Sequence, residues 1–203
     1  MDEPPTDPLG IAAWRRATRE KLIAARLALS VEAHRALSRG IDERLTAHFS
    51  DLASGLTGLY WPFRREFDPL PFARRLIAGG GTAALPVVRS KGQPLEFRRW
   101  QPGTKMNVGA YDIPYPAEGE AVQPTALLVA LLGFDRAAYR LGYGAGYYDR
   151  TIVAMARRPR IVGVGFELGR LETIRPQPHD LPMDFIVTES NAAQRTNGAL
   201  APL

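Results

Sequence analysis

Residues 125–132, TALLVALL, form an apolar run of strand length. Such a run is typical of a strand that is covered on both faces, as strands of parallel sheets are. Similar short apolar runs occur at 56–60, 82–88, 160–166 and 184–189. Helical patterns lie between or before these runs, at 8–29, 30–49, 69–77 and from residue 147 onward. The alternation predicts an α/β layer fold with a mainly parallel sheet flanked by helices.

Turn and cap signals refine this Rossmann-like arrangement, in which a ligand would bind at the carboxyl ends of the strands. Pro8 suits the first turn of the first helix, and Ser30 is the predicted N-cap of the second. Residues 95–100, LEFRRW, alternate like one half of a hairpin. The Pro- and Gly-rich stretch 109–124 is expected to be irregular, and the small, polar tail after Glu189 is expected to fray.

Composition excludes several kinds of site and compartment. The chain has no cysteine, which rules out disulfides, thiolate metal sites and cysteine nucleophiles. The first ten residues, MDEPPTDPLG, lack the basic and then apolar order of a signal peptide, and no apolar run approaches the ~18–20 residues of a membrane span. We therefore expect a cytoplasmic protein. With 203 residues, 45% of them hydrophobic, it can bury one core, so we predict a single domain over 1–203.

The basic balance of the chain permits an anionic partner without identifying it. The formal net charge is +5 and the isoelectric point is about 9.8. Phosphate, a polyglutamate tail or nucleic acid would suit this charge, and a solvated basic surface explains it equally well. Because the arginines are dispersed over several segments and no nucleic-acid-binding motif occurs, nucleic acid is not the partner we expect.

The segment RLGYGAGYYDR, 140–150, follows the run 125–132 and opens a helix. Its three alternating glycines allow positive φ and a close approach of the main chain, so that successive N–H groups can converge on an anion. The helix adds its positive amino end, and an arginine at each end of the segment offers a planar fork for phosphate oxygens. We interpret the segment as a phosphate cradle. An ordinary turn is the alternative, because the spacing matches neither the GxGxxG fingerprint nor a Walker loop.

The longer run GFDRAAYRLGYGAGYYDR resembles the signature of the 5-formyltetrahydrofolate cyclo-ligase family, also called 5,10-methenyltetrahydrofolate synthetases. Other segments resemble the family in the same order: WRRATREKL, YWPFRREFD, FRRWQPG with YDIPYP, and PHDLPMDFIVTE. The resemblance implies that ATP and Mg2+ are used to convert 5-formyltetrahydrofolate, with or without a polyglutamate tail, into 5,10-methenyltetrahydrofolate with release of ADP and phosphate. In that reaction the formyl oxygen attacks the γ-phosphate, N10 closes the ring, and phosphate leaves.

The resemblance also implies a set of site residues. Nucleotide binding is expected from two residues of the first helix and from the glycine segment: Arg15, Arg19, Arg140, Leu141, Gly142, Tyr143, Gly144, Ala145, Gly146, Tyr147 and Tyr148. The folate substrate is expected at Trp61, Glu66, Tyr111, Tyr143 and Tyr147. Arg140 and Tyr148 are the expected catalytic residues. Asp149 and Asp184 are the expected Mg2+ ligands.

Some of these side chains have a simpler interpretation. Arg15 and Arg19 are four residues apart, so they share a helical face that could merely be solvated. Glu66 could accept two hydrogen bonds from a pterin ring, or it could be a surface charge paired with Arg64 or Arg65.

Other candidates also have two interpretations. Tyr111 could line the substrate pocket or pack in the ordinary way. Asp149 could bind a metal or stabilise the dipole of the helix that it opens. Asp135 is expected to stabilise the loop, pairing with Arg140 or Arg150.

Several positions depart from the family pattern. Ala145 replaces a glycine or lysine, Ala138 and Asp112 stand where glycine is common, Tyr115 replaces a glutamate, Arg15 replaces a lysine, and Leu131 with Leu132 replaces a Pro-Gly turn. An alanine held at positive φ costs about 1 kcal/mol, and we expect such strain at Ala145. A divergent paralogue that binds nucleotide or folate without turnover is therefore an alternative function, and a basic RNA-associated module is another. In each case we expect a monomer.

Overall fold

The computed structural model describes residues 7–203, and its helices follow the predicted helical patterns. They are α1 Pro8–Leu27, α2 Val31–His48, α3 Leu70–Ala78 and α4 Tyr147–Ala154. Asp7 caps α1 by accepting a hydrogen bond from the Gly10 N–H at 2.9 Å, and Pro8 occupies the first turn as predicted. Ser30 caps α2 through the Ala33 N–H at 3.0 Å, which confirms that prediction.

The strands are short and lie on either side of these helices in the chain. Those before the glycine segment are β1 Leu56–Gly58, β2 Thr82–Val87, β3 Glu96–Trp100, β4 Met106–Val108, β5 Pro114–Pro116, β6 Ala121–Val122, β7 Ala126–Ala130 and β8 Gly133–Phe134. Those from the glycine segment onward are β9 Arg140–Leu141, β10 Arg160–Val164, β11 Phe185–Val187, β12 Ala192–Thr196 and β13 Ala199–Pro202.

A nine-stranded sheet orders these strands as β13-β12-β11-β10-β7-β1-β2-β3-β6. Its centre, β11-β10-β7-β1-β2, is parallel, and both margins are antiparallel. The predicted α/β fold with a mainly parallel sheet is thus confirmed. From β1 the chain adds β2 on one side, and from β7 it adds β10 and β11 on the other. Such a reversal opens a crevice beyond the carboxyl ends of the two strands.

Helices cover the two faces of β7, as the apolar run predicted. Leu128 packs in the layer that contains α2 and α3, whereas Leu127 and Val129 pack in the layer that contains Ile152 of α4. Burying one such side chain contributes about 1.5–3 kcal/mol. None of the helices within residues 7–203 combines the length and the apolar character that a membrane crossing requires.

Two segments are more ordered than their composition predicted. The tail that was expected to fray pairs as β12 and β13 at the margin of the sheet, and the Leu200 N–H donates to the Arg136 carbonyl at 2.8 Å. The stretch 109–124, expected to be irregular, contains β5 and β6. Alanine and proline carry little strand signal in a sequence, and these short strands depend on main-chain pairing with their neighbours.

Candidate active site

Two segments follow β1 and β7, the strands at which the order of the sheet reverses. The segment after β1 carries Trp61, Phe63 and Glu66, and the segment after β7 leads through the hairpin β8–β9 into the glycine segment 140–150. The resemblance assigned the substrate to the first segment and the nucleotide to the second. The fold therefore brings the two groups of predicted residues to the carboxyl ends of the central parallel strands.

The glycine segment turns through two left-handed residues before it enters α4. Gly144 has φ +92°, and Gly146, the N-cap of α4, has φ +64°. Within residues 7–203, none of the backbone N–H groups of residues 142–146 donates a hydrogen bond. Free N–H groups at the amino end of a helix suit an anion such as phosphate. The loop thus has the donors that the sequence predicted.

Each glycine of the loop also lies against an arginine side chain. The pairs are Gly142 with Arg140, Gly144 with Arg19, and Gly146 with Arg150. A Cβ would come within 2.5 Å of a guanidinium nitrogen at Gly142 and within 2.8 Å at Gly146, which is closer than side chains can approach. Because these glycines have no side chains, three arginine guanidinium groups can lie against one loop.

Some of the donors around the loop are buried without a hydrogen-bond partner. They include the Nε atoms of Arg140 and Arg150 and the hydroxyl of Tyr148. Arg140 Nη2 donates to Asp149 Oδ2 at 2.7 Å, and the two side chains are only 8% and 15% exposed. Burial raises the pKa of Tyr148, although Arg140 opposes the shift, so its hydroxyl is a neutral donor. Because unsatisfied buried donors are destabilising, their concentration here indicates a place for an anion.

Two arginines of α1 have different environments. Arg15 is 8% exposed and donates to Asp180 at 2.5 Å, to the Arg175 carbonyl at 2.8 Å and to the Ile174 carbonyl at 3.1 Å. The solvated-face alternative is therefore wrong for Arg15, while its contact with phosphate stays a prediction. Arg19 donates to the Gly142 carbonyl of the glycine loop at 2.8 Å, and burial followed by repulsion from Arg15 lowers its pKa. A phosphate bound beside Arg19 would offset both the burial of its charge and the repulsion from Arg15.

Glu66 is buried rather than a surface charge. It is 7% exposed, and its Oε2 accepts a hydrogen bond from the Phe63 N–H at 2.9 Å. Burial raises its pKa to about 7, opposed by Arg26, the Phe63 N–H and a hydrogen bond with Tyr143. The alternative of an ion pair with Arg64 or Arg65 is wrong, because neither guanidinium contacts this carboxylate.

Aromatic rings surround Phe63 beside this carboxylate. Its ring centroid lies 5.7 Å from that of Tyr143 and 6.3 Å from that of Tyr111. Tyr111 is 74% exposed, so it is available to a ligand and does not serve core packing. Trp61 is partly buried against the core, and Tyr147 lies beneath the Arg150 guanidinium.

Two residues near Glu66, Phe63 and Arg26, were absent from the predicted site. Arg26 lies seven residues after Arg19, which places both on one helical face, and this spacing was the available signal. No residue pattern identified Phe63, because its position depends on how the chain turns after β1.

The two predicted metal ligands have different surroundings. Asp149 borders the glycine loop and accepts from Arg140 and from the Leu181 N–H at 3.2 Å. Asp184 lies at the amino ends of β10 and β11, where it accepts from Arg158 at 2.7 Å and from the Ile161 N–H at 2.7 Å. The structure therefore does not join them in one site, and within residues 7–203 there is no cluster of three metal-binding side chains.

Asp135 shapes the hairpin that precedes the glycine loop. Its carboxylate accepts hydrogen bonds from the N–H groups of Ala137, Tyr139 and Ile174, at 3.0, 3.1 and 3.0 Å. The expected stabilising role is therefore confirmed, but the expected arginine partner is wrong. Three backbone donors satisfy this buried carboxylate instead.

Backbone strain lies outside the glycine loop. Ala145 is not among the residues with positive φ, so the strain expected there is absent, whereas Ala138 has φ +64° and Asp112 has φ +57°. These are the two departures that stand where the family commonly has glycine. Aspartate tolerates the left-handed region, but an alanine there costs about 1–2 kcal/mol.

Glycine substitutions at the two alanines should therefore differ in effect. Ala145→Gly should lower the free energy of unfolding by about 0.4–1 kcal/mol, because it only frees the unfolded chain. Ala138→Gly should be close to neutral, although it also removes a buried methyl group, because it relieves about 1–2 kcal/mol of strain. Urea denaturation of the two variants would measure this, and an Ala138→Gly variant less stable than Ala145→Gly would contradict it.

Comparisons with known proteins identify the family of this chain. Residues 11–189 match the model of the 5-formyltetrahydrofolate cyclo-ligase family. The 5-formyltetrahydrofolate cyclo-ligase of Mycolicibacterium smegmatis is 33% identical over 140 residues, 64% of this chain and 71% of that protein. The enzyme of that name from Escherichia coli K12 is 25% identical over 173 residues, 81% of this chain and 94% of that protein.

A solved structure shows the same fold. The NMR structure of the Aquifex aeolicus 5,10-methenyltetrahydrofolate synthetase has a TM-score of 0.78 and 29% identity, and the match covers 93% of this chain and 96% of that one. The family model spans most of the chain, including the segment after β1, the glycine loop and the segment that contacts Arg15. This chain belongs to the 5-formyltetrahydrofolate cyclo-ligase family of ligases.

Proposed function

We propose that this protein converts 5-formyltetrahydrofolate into 5,10-methenyltetrahydrofolate, with hydrolysis of ATP to ADP and phosphate. One contact carries the proposal: the Tyr143 ring of the glycine loop packs edge to face against Phe63, whose N–H donates to Glu66, with 5.7 Å between the two ring centroids. The donors suited to phosphate and the buried carboxylate suited to a pterin therefore share one crevice. A reaction between a triphosphate and a folate needs such an arrangement.

The chemistry requires alignment and charge neutralisation but no protein nucleophile. The formyl oxygen bonds to the γ-phosphorus while the bond to the ADP oxygen breaks. N10 then bonds to the formyl carbon and loses its proton, and the carbon–oxygen bond breaks as phosphate leaves with the former formyl oxygen. Phosphorylation is useful because an amide-like oxygen is otherwise a poor leaving group.

The residues divide between the two reactants. Glu66 would accept N–H groups of the pterin, with the ring of Phe63 beside it. The main-chain N–H groups of 142–146 would bind phosphate oxygens, and the guanidinium groups of Arg19 and Arg140 would offset the charge that develops during transfer.

Mg2+ is part of this proposal, and Asp149 is the side chain that fits it. Mg2+ commonly takes one or two carboxylates, while substrate phosphates and water complete its octahedron. A single carboxylate beside a phosphate cradle suits that pattern, and the ion would neutralise phosphate charge when bound. Asp184 is not included, because it lies at the amino ends of β10 and β11, away from the glycine loop at the carboxyl ends of the strands.

An absorbance assay tests the proposed function. Purified protein is mixed with 5-formyltetrahydrofolate, ATP and Mg2+, and each component is omitted in turn. Methenyltetrahydrofolate absorbance that requires all three supports the proposal. Ligand binding without product would indicate the non-catalytic paralogue, and steeply salt-dependent RNA binding alone would indicate the RNA-associated module. The cytoplasmic location, the monomeric state and any use of polyglutamylated folate stay predictions.

A further inference from the structure

Arg26, near the carboxyl end of α1, is a buried cation. It is only 3% exposed, and a guanidinium removed from water is destabilising unless its donors and its charge find partners. Its Nε donates to the Arg64 carbonyl at 3.0 Å, and its Nη2 donates to the Tyr143 hydroxyl at 2.6 Å. The Tyr143 ring packs edge to face against Phe63, whose N–H donates to Glu66. The guanidinium thus holds both a side chain of the glycine loop and the main chain two residues before Glu66.

These contacts join three parts of the crevice. Arg26 belongs to α1, Glu66 to the segment after β1, and Tyr143 to the glycine loop. The segment after β1 is strained where it meets Arg26, since Arg64 and Arg65 have φ of +47° and +58°. Left-handed residues other than glycine cost on the order of 1 kcal/mol each and often occur at functional sites. Here the strained turn directs the Arg64 carbonyl to the guanidinium.

We infer that Arg26 is a positioning residue for the folate: it holds the Tyr143 hydroxyl and the main chain before Glu66 in place, and its positive charge offsets the negative charge of the buried carboxylate. The inference rests on the proposed function, because it concerns the carboxylate that receives the pterin. Arg26 itself acts through Tyr143 and Glu66. It is therefore distinct from the arginines that line the glycine loop.

The electrostatics around Glu66 agree with this role. The titratable and charged groups that face it are Arg26 of α1, Tyr143 of the loop, Tyr148 of α4 and Tyr60 after β1. Burial raises the pKa of Glu66 to about 7, and among the opposing groups Arg26 is the charged one. Without it, a larger fraction of the carboxyl would be protonated at neutral pH. A protonated carboxyl keeps less acceptor capacity for the pterin N–H groups.

The experiment measures the affinity for 5-formyltetrahydrofolate by calorimetry across the neutral and alkaline range, without ATP. In the unmodified protein, affinity should fall as the pH drops below about 7, where Glu66 becomes protonated. We call the pH at which affinity begins to fall the break. Arg26→Met should move the break to higher pH, and each pH unit of this shift should lower the affinity at pH 7 by up to about tenfold.

Two further variants make the experiment decisive. Tyr143→Phe removes the hydroxyl that Arg26 binds but keeps the ring beside Phe63, and it should move the break in the same direction by less. If Arg26→Met does not fold, Tyr143→Phe still tests the inference, because Tyr143 is 41% exposed and the substitution removes only its hydroxyl. The matched control is Arg16→Met, which removes a positive charge from the same helix where the side chain is 83% exposed. That variant should leave the break unchanged.

The possible outcomes separate this inference from the proposed function. A break that neither Arg26→Met nor Tyr143→Phe moves overturns the inference alone, provided that the unmodified protein binds folate and forms product. Equal loss of affinity at every pH also overturns it, because Arg26 would then only shape the crevice. If the unmodified protein binds no folate at any pH, the proposed function and the inference both fail.

Discussion

Replacing Glu66 by glutamine should remove most of the affinity for 5-formyltetrahydrofolate and should stabilise the folded protein at alkaline pH. The loss of affinity follows from the hydrogen bonds, because an NH2 group would face the pterin N–H groups that the carboxylate accepts. Hydrogen bonds to a charged group are worth about 1.5–3 kcal/mol, so the affinity should fall by about a hundredfold. Nucleotide affinity should change little, since Glu66 contacts no phosphate donor directly.

The gain in stability follows from the burial of the same carboxylate. Its pKa is about 7 in the fold against an ordinary 4.5, so folding favours the protonated form. This contribution is complete below pH 4.5, decreases as the pH rises and is lost above about 7. The difference is roughly 3 kcal/mol at most, and a glutamine, which stays neutral, does not lose it.

Thermal unfolding across this pH range, with folate calorimetry beside it, measures both effects. The melting temperature of Glu66→Gln should diverge from that of the unmodified protein as the pH rises toward 7 and should be higher above it. Glu20→Gln is the control, because Glu20 is an exposed carboxylate in α1, the helix that carries Arg26, and its partner Arg16 is exposed as well. Unchanged folate affinity together with a pH-independent melting difference would show that Glu66 is neither buried as a charge nor a folate ligand.

Much of the fold could be predicted because its signals are local. The apolar run at 125–132 predicted a strand covered on both faces, and Ser30 predicted the start of α2. The margins of the sheet could not be predicted in this way. The strands in the tail consist largely of small residues, and only the neighbouring strand determines that they pair.

The site shows the same division between local and nonlocal information. The glycine loop and its helix were predictable from residue types alone, but the burial of Glu66 was not, since it depends on Arg26 and Tyr143 from distant parts of the chain. Strain was assigned to Ala145 and occurs at Ala138. A glycine-rich segment does not reveal which of its positions has positive φ, because that depends on the pairing of the hairpin before it.

Replacing Arg140 by methionine should reduce ATP affinity and also destabilise the fold. As a charged ligand of phosphate, Arg140 should be worth about 1.5–3 kcal/mol, so its loss should weaken ATP binding by about ten- to hundredfold. From the sequence alone we would expect little loss of stability. The structure changes that expectation, because Arg140 and Asp149 form a pair whose side chains are 8% and 15% exposed. Removing one partner of a buried pair costs about 3–5 kcal/mol, since the other charge is left uncompensated.

A second substitution separates these two effects. Adding Asp149→Asn to Arg140→Met removes the uncompensated carboxylate, so much of the stability should return while ATP affinity stays low. Denaturant unfolding and nucleotide calorimetry on the single variants and the double variant form a cycle that isolates the pair. The calorimetry is done without Mg2+, so that loss of its proposed ligand Asp149 does not itself lower ATP affinity. Arg158→Met is the control, because the Arg158–Asp184 pair is 50% and 29% exposed and should contribute at most about 1 kcal/mol. If ATP affinity recovered together with stability in the double variant, Arg140 would be a structural partner of Asp149, and the phosphate charge would have to be offset by Arg19 and Arg150 alone.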